Sequence, residues 1–317
     1  MNILSEIKKA EKRIRPYILK TPLIPSNFLS KLNKGKVYLK MESEQYTGSF
    51  KVRGAMNKIL SLSEQEKKKG IVTASTGNHA LGVARALSIT GIKGTIFLPE
   101  NAETSKIEAL RGYNATLEFY GKDFLATELH AKQVAKEKGA SWISPYNDPQ
   151  IIGGQGTIGI EIVQQLDKID YVLATVGGGG LISGVATYLK SVSPETKIIG
   201  CLPINFPKMY LSVKAGKIVS PSNLKETLSD GSAGGIEEGS ITFPICQQLI
   251  DDFILVSEKE IKEAIKLIVD KHHKIIEGAA AVSVASFIKN KEKFKGANVV
   301  IIICGGNIAT SKLKALL

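Results

Sequence analysis

From residue 70 to residue 317, short apolar runs alternate with segments of helical periodicity, and this alternation limits the folds that the chain can adopt. Strands and helices that alternate at this spacing form βαβ units, in which helices cover both faces of parallel sheets. Such sheets bind ligands beyond the carboxyl ends of their strands. We therefore predict an α/β fold with its site at those ends. The predicted strands are Lys36–Met41, Ile71–Ala74, Thr95–Leu98, Ala115–Tyr120, Tyr171–Val176, Lys197–Cys201 and Asn298–Ile303.

Composition narrows the classes of function. The 317 residues suggest about two domains at roughly 150 residues each. The net charge of +12 comes from lysines interleaved with glutamates, which indicates a solvated surface rather than a nucleic-acid-binding arm. Three cysteines without a CxxC pair argue against a disulfide framework or a zinc site. No apolar run reaches the roughly 20 residues of a membrane helix and no signal-peptide pattern opens the chain, so we expect a cytoplasmic protein.

Four consecutive glycines, Gly177 to Gly180, follow the predicted strand Tyr171–Val176 and precede a helical pattern from Leu181. Glycine lets the backbone approach an anion closely, and the N–H groups at a helix N-terminus face that anion with the positive end of the helix dipole. The run is neither GxGxxG nor a GxxxxGK[ST] P-loop. A flexible turn is the alternative, but four glycines are costly to order unless something uses them. We therefore predict a phosphate-binding loop.

The segment Thr47-Gly48-Ser49-Phe50-Lys51-Val52-Arg53-Gly54-Ala55 places a lysine beside an aromatic ring, just after a predicted strand. Burial lowers the pKa of a lysine from its ordinary value of about 10.4, and the neutral amine can form a Schiff base with a carbonyl. A surface lysine on a helix would look the same in isolation. The pattern makes Lys51 a candidate covalent amine without deciding the matter.

Two further polar stretches follow predicted strands. In Ser75-Thr76-Gly77-Asn78-His79, free N–H groups suit a carboxylate and the Asn78 amide suits a phenolate-type oxygen, although an ordinary helix N-cap is the other interpretation. In Cys304-Gly305-Gly306-Asn307, residue type alone indicates a small buried hydrophobe at Cys304. Both stretches stand where the rule for parallel sheets places a site.

Taken in order, these four motifs resemble those of the threonine/serine dehydratase family, which is similar to serine racemases and belongs to the fold-type II, tryptophan-synthase-β-like pyridoxal-phosphate enzymes. The resemblance runs from about Ile18 to the C-terminus. It implies two open, twisted, mostly parallel sheets covered by helices, with pyridoxal 5'-phosphate between two domains. It implies cofactor contacts from Phe50, Lys51, Asn78, Gly177, Gly178, Gly179, Gly180, Leu181, Glu277 and Cys304, and substrate contacts from Ser75, Thr76, Gly77, Asn78 and His79.

Individual roles also come from this resemblance. Cys304 would face the pyridine nitrogen, where a neutral thiol cannot hold that nitrogen protonated and so favours elimination over transamination. Glu277 lies in a segment similar to the family's Glu-Pro-Ser/Thr/Ala-Gly-Ala, with glycine in place of proline; a plain helix N-terminal glutamate is the other interpretation. Thr76 is a candidate catalytic residue because it stands where serine racemases have a serine that acts as acid and base. Racemisation therefore stays open.

The resemblance implies an ammonia-lyase that converts L-threonine and L-serine to 2-oxobutanoate and pyruvate, with Lys51 removing the Cα proton. Residues 229–236 would line the substrate side chain. The alternatives are a serine racemase, and elimination from hydroxyaspartate, diaminopropionate or a hydroxyectoine-derived substrate. β-Replacement is disfavoured by His79, because cysteine synthases carry threonine there, and a non-catalytic binding module is disfavoured by Lys51. The sequence does not decide the preferred substrate or any nucleotide effector.

The predicted large, cofactor-binding domain comprises residues 1–61 and 141–317, and the predicted small, mobile domain comprises residues 62–140. The family resemblance suggests a homodimer. Some relatives bind a divalent cation through an acidic pair, but this chain has Leu202 and Lys208 there, so we predict no metal. Because the chain ends soon after its last predicted strand and helix, we expect no C-terminal regulatory domain.

Overall fold

The computed structural model describes residues 2–113 and 115–317, with only the backbone described at Ser105. Within these residues, ten strands form two sheets. The strands are β1 (Leu23–Pro25), β2 (Lys36–Met41), β3 (Ile71–Ala74), β4 (Gly94–Leu98), β5 (Thr116–Phe119), β6 (Ser141–Trp142), β7 (Tyr171–Thr175), β8 (Lys197–Pro203), β9 (Asp252–Val256) and β10 (Asn298–Ile303).

The larger sheet has the strand order β1-β2-β10-β7-β8-β9, and all its pairs except β1 with β2 are parallel. Strand β10 lies at its centre and is buried from Val299 to Ile303, which explains a continuous apolar run instead of an alternating one. Its register against β2 runs from Asn298 opposite Lys36 to Ile303 opposite Met41. The two strands therefore end together, and the lysine segment after β2 lies beside the cysteine motif after β10.

The smaller sheet has the order β5-β4-β3-β6 and is parallel throughout. Strand β6, which pairs Ser141 and Trp142 with Ile71 and Val72, was not predicted because two residues are too short to show a periodicity. It lies just past the bound predicted for the small domain at residue 140, and the division into two domains stays a prediction. Pairing with β3 carries the segment after β6 to the edge where Ser75 follows β3.

The helices lie between and around the strands. Over the described ranges they are α1 (Ile3–Ile14), α2 (Asn27–Asn33), α3 (Lys51–Ser61), α4 (Glu64–Lys69), α5 (Asn78–Thr90), α6 (Thr104–Arg111), α7 (Phe124–Lys138), α8 (Pro149–Gln165), α9 (Gly180–Val192), α10 (Lys208–Ala215), α11 (Thr242–Leu249), α12 (Glu258–His272), α13 (Gly278–Lys289) and α14 (Thr310–Leu316).

Helix α3 joins the two halves of the molecule. One face packs against α8, and the approach is so close that a Cβ on Gly154 would lie 2.6 Å from Cα of Gly54. Its other apolar residues, among them Val52 and Met56, share a buried cluster with Leu87 of α5. The helix that begins with Lys51 therefore packs against α8, which precedes β7 of the larger sheet, and against α5, which follows β3 of the smaller sheet.

All seven predicted strands are confirmed, with β4, β5, β7 and β8 differing by one or two residues at their ends. Strand β9 was not predicted. It is an edge strand that pairs only with β8 among the described residues, and its apolar run of four residues after Asp252 does not distinguish strand from buried helix. Strand β1, of three residues, was not predicted either.

Candidate active site

Lys51 is the first residue of α3 and lies at the carboxyl edge of the larger sheet. The preceding loop is fastened to the end of β10, because the Phe50 N–H donates to the Cys304 carbonyl at 3.1 Å and Ser49 forms a bridge with Gly305. The Lys51 Nζ donates to the carbonyl oxygen of Pro145 at 2.7 Å. Burial lowers the pKa of Lys51 to about 8. The lowered pKa raises the share of neutral amine near pH 7, and the neutral amine is the form that Schiff-base chemistry requires.

The glycine run forms the turn between β7 and α9. Gly179 has φ of +88°, in the left-handed region that favours glycine, and a Cβ on Gly178 would lie 2.5 Å from the Tyr146 ring. The Gly178 carbonyl accepts a 2.6 Å hydrogen bond from Thr242 Oγ1, which holds the turn in place. The turn presents the N-terminus of α9, a favourable place for a phosphate. The phosphate contact itself, including that of Leu181, stays a prediction.

Pro145 and Tyr146 contribute to the site although no motif pointed to them. They follow β6, and their segment is fixed because the Tyr146 hydroxyl accepts from the Glu237 N–H at 2.7 Å. Asn147 strengthens the link, since its Nδ2 donates to Glu237 Oε2 at 2.7 Å. Only the pairing of β6 with β3 places this segment opposite Lys51, so a local sequence pattern could not have identified it.

Asn78 and Glu277 meet across the site. Asn78 begins α5, and Glu277 immediately precedes α13. The Asn78 Nδ2 donates to Glu277 Oε1 and Oε2, both at 2.9 Å. Burial raises the pKa of Glu277 to about 7, against the lowering effect of the Asn78 hydrogen bond. The structure thus brings these two predicted cofactor-binding residues together, and their contacts with the cofactor stay predictions.

Cys304 follows directly after β10 and is 4% exposed. Burial raises the pKa of its thiol well above the usual range, so the group is uncharged at neutral pH. A neutral sulfur at this position agrees with the role that the family resemblance implies, which stays a prediction.

The stretch from Ser75 to His79 forms the turn between β3 and α5, with the Gly77 N–H donating to Ser75 Oγ at 3.2 Å. Helix α5 begins at Asn78, within this stretch. His79 is 3% exposed, and its Nε2 lies 3.0 Å from the Ile143 carbonyl oxygen. Burial lowers the pKa of His79 to about 3, so the imidazole is neutral. The imidazole lies in the core, and the predicted substrate contact of His79 would have to come from its backbone N–H.

A buried ionic cluster lies behind Lys51. The Arg53 guanidinium pairs with the carboxylates of Glu42 and Glu161, and Lys40 Nζ contacts Glu161 Oε2 at 2.6 Å. The Arg53 side chain is fully buried. The cluster joins α3 to β2 and α8, and therefore supports the helix that carries Lys51.

The segment expected to line the substrate side chain lies between the glycine turn and Glu277. A Cβ on Gly177 would lie 3.0 Å from Cα of Ser232, and a Cβ on Gly231 would lie 3.8 Å from Glu277 Oε1. The Ser229 and Ser232 hydroxyls are 2.5 Å apart, so the turn has an internal hydrogen bond. This segment is placed at the site, while its contact with substrate stays a prediction.

Two features are absent from the described residues, a metal-binding cluster and a membrane-spanning helix. Over residues 2–113 and 115–317, no group of three or more His, Cys, Asp and Glu side chains is arranged to hold a metal ion. The prediction that no metal binds stays a prediction. In the same part of the chain, no helix combines the length and apolar character needed to cross a membrane.

The residues present fit pyridoxal 5'-phosphate. A buried amine with a lowered pKa stands near the neutral thiol of Cys304, and a bare glycine turn opens onto a helix N-terminus. The sequence model of a family described as "Pyridoxal-phosphate dependent enzyme" matches residues 14–305.

The chain belongs to the pyridoxal-phosphate-dependent enzyme family.

Curated members of this family resemble the whole chain. It is 42% identical over 317 residues to the L-threonine ammonia-lyase of Thermotoga maritima, covering 100% of this chain and 78% of that protein. It is 41% identical over 318 residues to the catabolic L-threonine dehydratase TdcB of Staphylococcus aureus strain N315, covering 99% of this chain and 91% of the relative. The predicted membership of the threonine/serine dehydratase group is confirmed.

Solved structures of the family agree with the fold. The processed form of threonine deaminase isoform 2 from Solanum lycopersicum aligns with a TM-score of 0.94 at 39% identity, covering 99% of this chain and 91% of that one. The serine racemase from Dictyostelium discoideum aligns with a TM-score of 0.90 at 37% identity, covering 96% and 98%. The fold-type II prediction of two mostly parallel sheets covered by helices is confirmed, as is pyridoxal phosphate as the family's cofactor.

Proposed function

We propose that this protein is a pyridoxal-phosphate-dependent ammonia-lyase that converts L-threonine to 2-oxobutanoate and L-serine to pyruvate, each with release of ammonia. The observation that carries the proposal is the buried Lys51 amine, with its pKa lowered to about 8 and its Nζ 2.7 Å from the Pro145 carbonyl oxygen. The threonine ammonia-lyases and dehydratases at 41–42% identity over almost the whole chain support the substrate assignment.

In this proposal, Lys51 would hold the cofactor covalently and the turn from Gly177 to Gly180 would bind its phosphate. Phe50, Asn78 and Cys304 would contact the rest of the cofactor, Asn78 at the 3'-oxygen and Cys304 at the pyridine nitrogen. When bound, the cofactor supplies an electron-withdrawing ring that makes the Cα proton of the amino acid acidic.

The protein's own groups then bind the substrate and move its protons. The N–H groups from Ser75 to His79 bind the substrate carboxylate at the N-terminus of α5. A Lys51 Nζ with a pKa of about 8 is suited to accept the Cα proton near neutral pH. The substrate loses this proton and its β-hydroxyl as water, and one water returns when hydrolysis releases ammonia.

We further propose that residues 62–140, together with β6, move as a small domain that closes over the site and excludes water. The contact that supports this is an ion pair between the smaller-sheet helix α7 and the loop beside the glycine turn: Lys132 Nζ lies 2.9 Å from Glu237 Oε1. If this pair stabilises the closed form, Glu237→Gln should raise KM for L-threonine about twofold to fivefold, and added salt should reduce the difference from the wild type.

A cytoplasmic homodimer is part of the proposal. Light scattering of the purified holoenzyme should give a mass twice that of the chain, and fractionation of the source cells should recover the activity in the cytoplasm. A monomeric active holoenzyme would contradict the dimer.

The test of the function is an absorption spectrum of the protein with added pyridoxal phosphate, followed by L-threonine or L-serine with assay of the 2-oxo acid. We expect a visible band and oxo acid release, both lost in Lys51→Ala and both kept in Lys259→Ala, which changes a lysine whose side chain is 85% exposed. A band without oxo acid from either substrate would retain the cofactor and reject the substrates. The absence of a band would reject the enzyme.

Racemisation is the second candidate. It is supported by the full-length likeness to the serine racemase from Dictyostelium discoideum and by the threonine hydroxyl at residue 76. Chiral analysis of L-serine reactions would detect D-serine, and Thr76→Val would remove the hydroxyl while keeping the shape of the side chain. Elimination from hydroxyaspartate, diaminopropionate or a hydroxyectoine-derived substrate is tested with those compounds in the oxo acid assay.

A further inference from the structure

We infer that Asn307 and Glu277 are positioning residues that hold the side-chain amide of Asn78 in a single orientation, with its N–H groups available to the cofactor. This inference rests on the proposed function, in which Asn78 contacts the cofactor's 3'-oxygen. Asn307 belongs to the motif after β10, and neither the sequence nor the proposed reaction had assigned it a role.

A chain of hydrogen bonds joins Asn307, Asn78 and Glu277. The Asn307 Nδ2 donates to the Thr47 carbonyl oxygen at 2.8 Å and to the Asn78 Oδ1 at 2.7 Å. The Asn78 Nδ2 in turn donates to both carboxylate oxygens of Glu277 at 2.9 Å. Four residues are thereby connected, and the Asn78 amide has a partner at each end.

The direction of this chain is set by its two ends. The Thr47 carbonyl can only accept a hydrogen bond, so it fixes which end of the Asn307 amide faces it. The Asn307 NH₂ group, fixed in this way, requires the Oδ1 end of Asn78, and the NH₂ end of Asn78 then faces Glu277. Turning the Asn78 amide over would set its NH₂ against the Asn307 NH₂ and its oxygen against the Glu277 carboxyl group. The contact between the two NH₂ groups would be repulsive whether Glu277 is ionised or protonated, so one orientation is selected.

The selected orientation is the one that the cofactor would need. A phenolate-type oxygen accepts hydrogen bonds, so Asn78 must present its NH₂ group and not its carbonyl oxygen. The NH₂ group carries two hydrogens: one can be shared between the two Glu277 oxygens, which leaves the other for the cofactor. Burial of Glu277, which is 7% exposed, strengthens the hold of its carboxylate on Asn78. Asn307 is exposed, so water competes for its amide and its hold is weaker.

The backbone around Asn307 is adapted to its position. Gly48 has φ of +68°, and a Cβ there would lie 2.4 Å from Asn307 Oδ1. The Gly306 N–H donates to the Gly48 carbonyl at 2.9 Å, which fastens the loop before Lys51 to the loop after β10. Asn307 thus contacts the loop before Lys51 on one side and Asn78 of α5 on the other. It links the segment after β10 of the larger sheet to the helix after β3 of the smaller sheet.

The test compares cofactor binding by Asn307→Asp, Glu277→Gln and Asn78→Ala, alone and combined. Asn307→Asp keeps the size of the side chain but replaces its donor by an acceptor. We expect its dissociation constant for pyridoxal phosphate, measured by absorption titration, to rise about threefold to tenfold, and that of Glu277→Gln to rise by a similar or larger factor. The visible band should also shift in both variants. Asn205→Asp, a surface asparagine whose Nδ2 donates to the Glu226 carbonyl, is the matched control and should leave both quantities unchanged.

The combined variants separate positioning from a merely structural role. If Asn307 acts through Asn78, adding Asn307→Asp to Asn78→Ala should change the dissociation constant by less than about twofold. A structural role would lower the melting temperature of the cofactor-free protein and add its full effect in both backgrounds. Full additivity, or single variants that bind and absorb like the wild type, would overturn the inference. Asn307→Asp and Glu277→Gln test the inference independently, so either variant is decisive if the other fails to fold.

Failure of the proposed function gives a different result. If the wild type forms no visible band with pyridoxal phosphate, the proposed function fails and takes this inference with it. If the wild type binds the cofactor and releases oxo acid while the variants bind like the wild type, the inference alone fails.

Discussion

The Arg53 guanidinium donates two hydrogen bonds to the Glu42 carboxylate, from Nε at 2.7 Å and from Nη2 at 2.9 Å, and both side chains are fully buried. Arg53 lies two residues after Lys51 on α3, and Glu42 follows the last residue of β2. The same guanidinium pairs with Glu161 of α8 at 2.8 Å. The helix that carries the reactive amine is therefore fixed to the sheet by charges that have no access to water.

Arg53→Met should lower the free energy of unfolding of the cofactor-free protein by about 3–5 kcal/mol, because it leaves buried carboxylates without their main partner. Urea unfolding measures this change. The control is Lys106→Met, which breaks an exposed pair with Glu103 at 3.6 Å and should cost less than about 1 kcal/mol. Equal losses in the two variants would mean that the buried cluster does not stabilise the fold.

Gly178→Ala should weaken cofactor binding by more than about tenfold, because the new Cβ would lie 2.5–2.7 Å from the Tyr146 ring and push the glycine turn away from its position. Titration with pyridoxal phosphate followed by absorption measures the affinity. Gly112→Ala is the matched control, since its Cβ would have its nearest neighbour at 3.8 Å. Wild-type affinity in Gly178→Ala would show that the turn does not bind the phosphate.

The rate at which the cofactor-free protein takes up pyridoxal phosphate should depend on the pKa of Lys51, which burial lowers to about 8. Only the neutral amine attacks a carbonyl, so the rate should fall about tenfold per pH unit below pH 8 and level off above it. Stopped-flow growth of the visible band measures this rate. Nα-acetyl-lysine, whose side-chain amine is free, is the reference, and the rate of its reaction should keep rising up to about pH 10.4. A protein rate that still climbs beyond pH 9.5 would contradict a lowered pKa.

His79 should make the fold sensitive to acid. Burial lowers its pKa to about 3, whereas the unfolded chain has the ordinary value of about 6.5. Between these values the unfolded state binds a proton that the folded state does not, so stability falls as the pH drops from 6.5 toward 3.

His79→Gln should remove the part of the pH dependence of folding stability that comes from His79. It will also lower the stability at pH 7, because it weakens the hydrogen bonds to Thr73 and Ile143. Urea midpoints at pH 5 and pH 7 measure the slope. His273→Gln, at an exposed histidine, should keep the wild-type slope. An unchanged slope in His79→Gln would show that His79 does not stay neutral in the fold.

The sequence by itself determined the alternation of strands and helices, the glycine turn and the lysine segment. Strands β3 and β10 are buried runs of mostly apolar residues, and the bounds of both match the prediction. These features are local, because periodicity and glycine content act over a few neighbouring residues. Through the family resemblance, the sequence also identified the fold and the cofactor that the comparisons confirm.

The tertiary structure alone decided which distant residues meet. Pro145 faces Lys51 because a two-residue strand pairs with β3, and the His79 imidazole lies in the core because Ile143 is brought beneath it. Asn307 reaches Asn78 across 229 positions of sequence. No local pattern records such contacts. They arise when parallel strands end at one edge of a sheet and the segments that follow these strands pack together. The same packing buries Lys51 and thereby lowers its pKa.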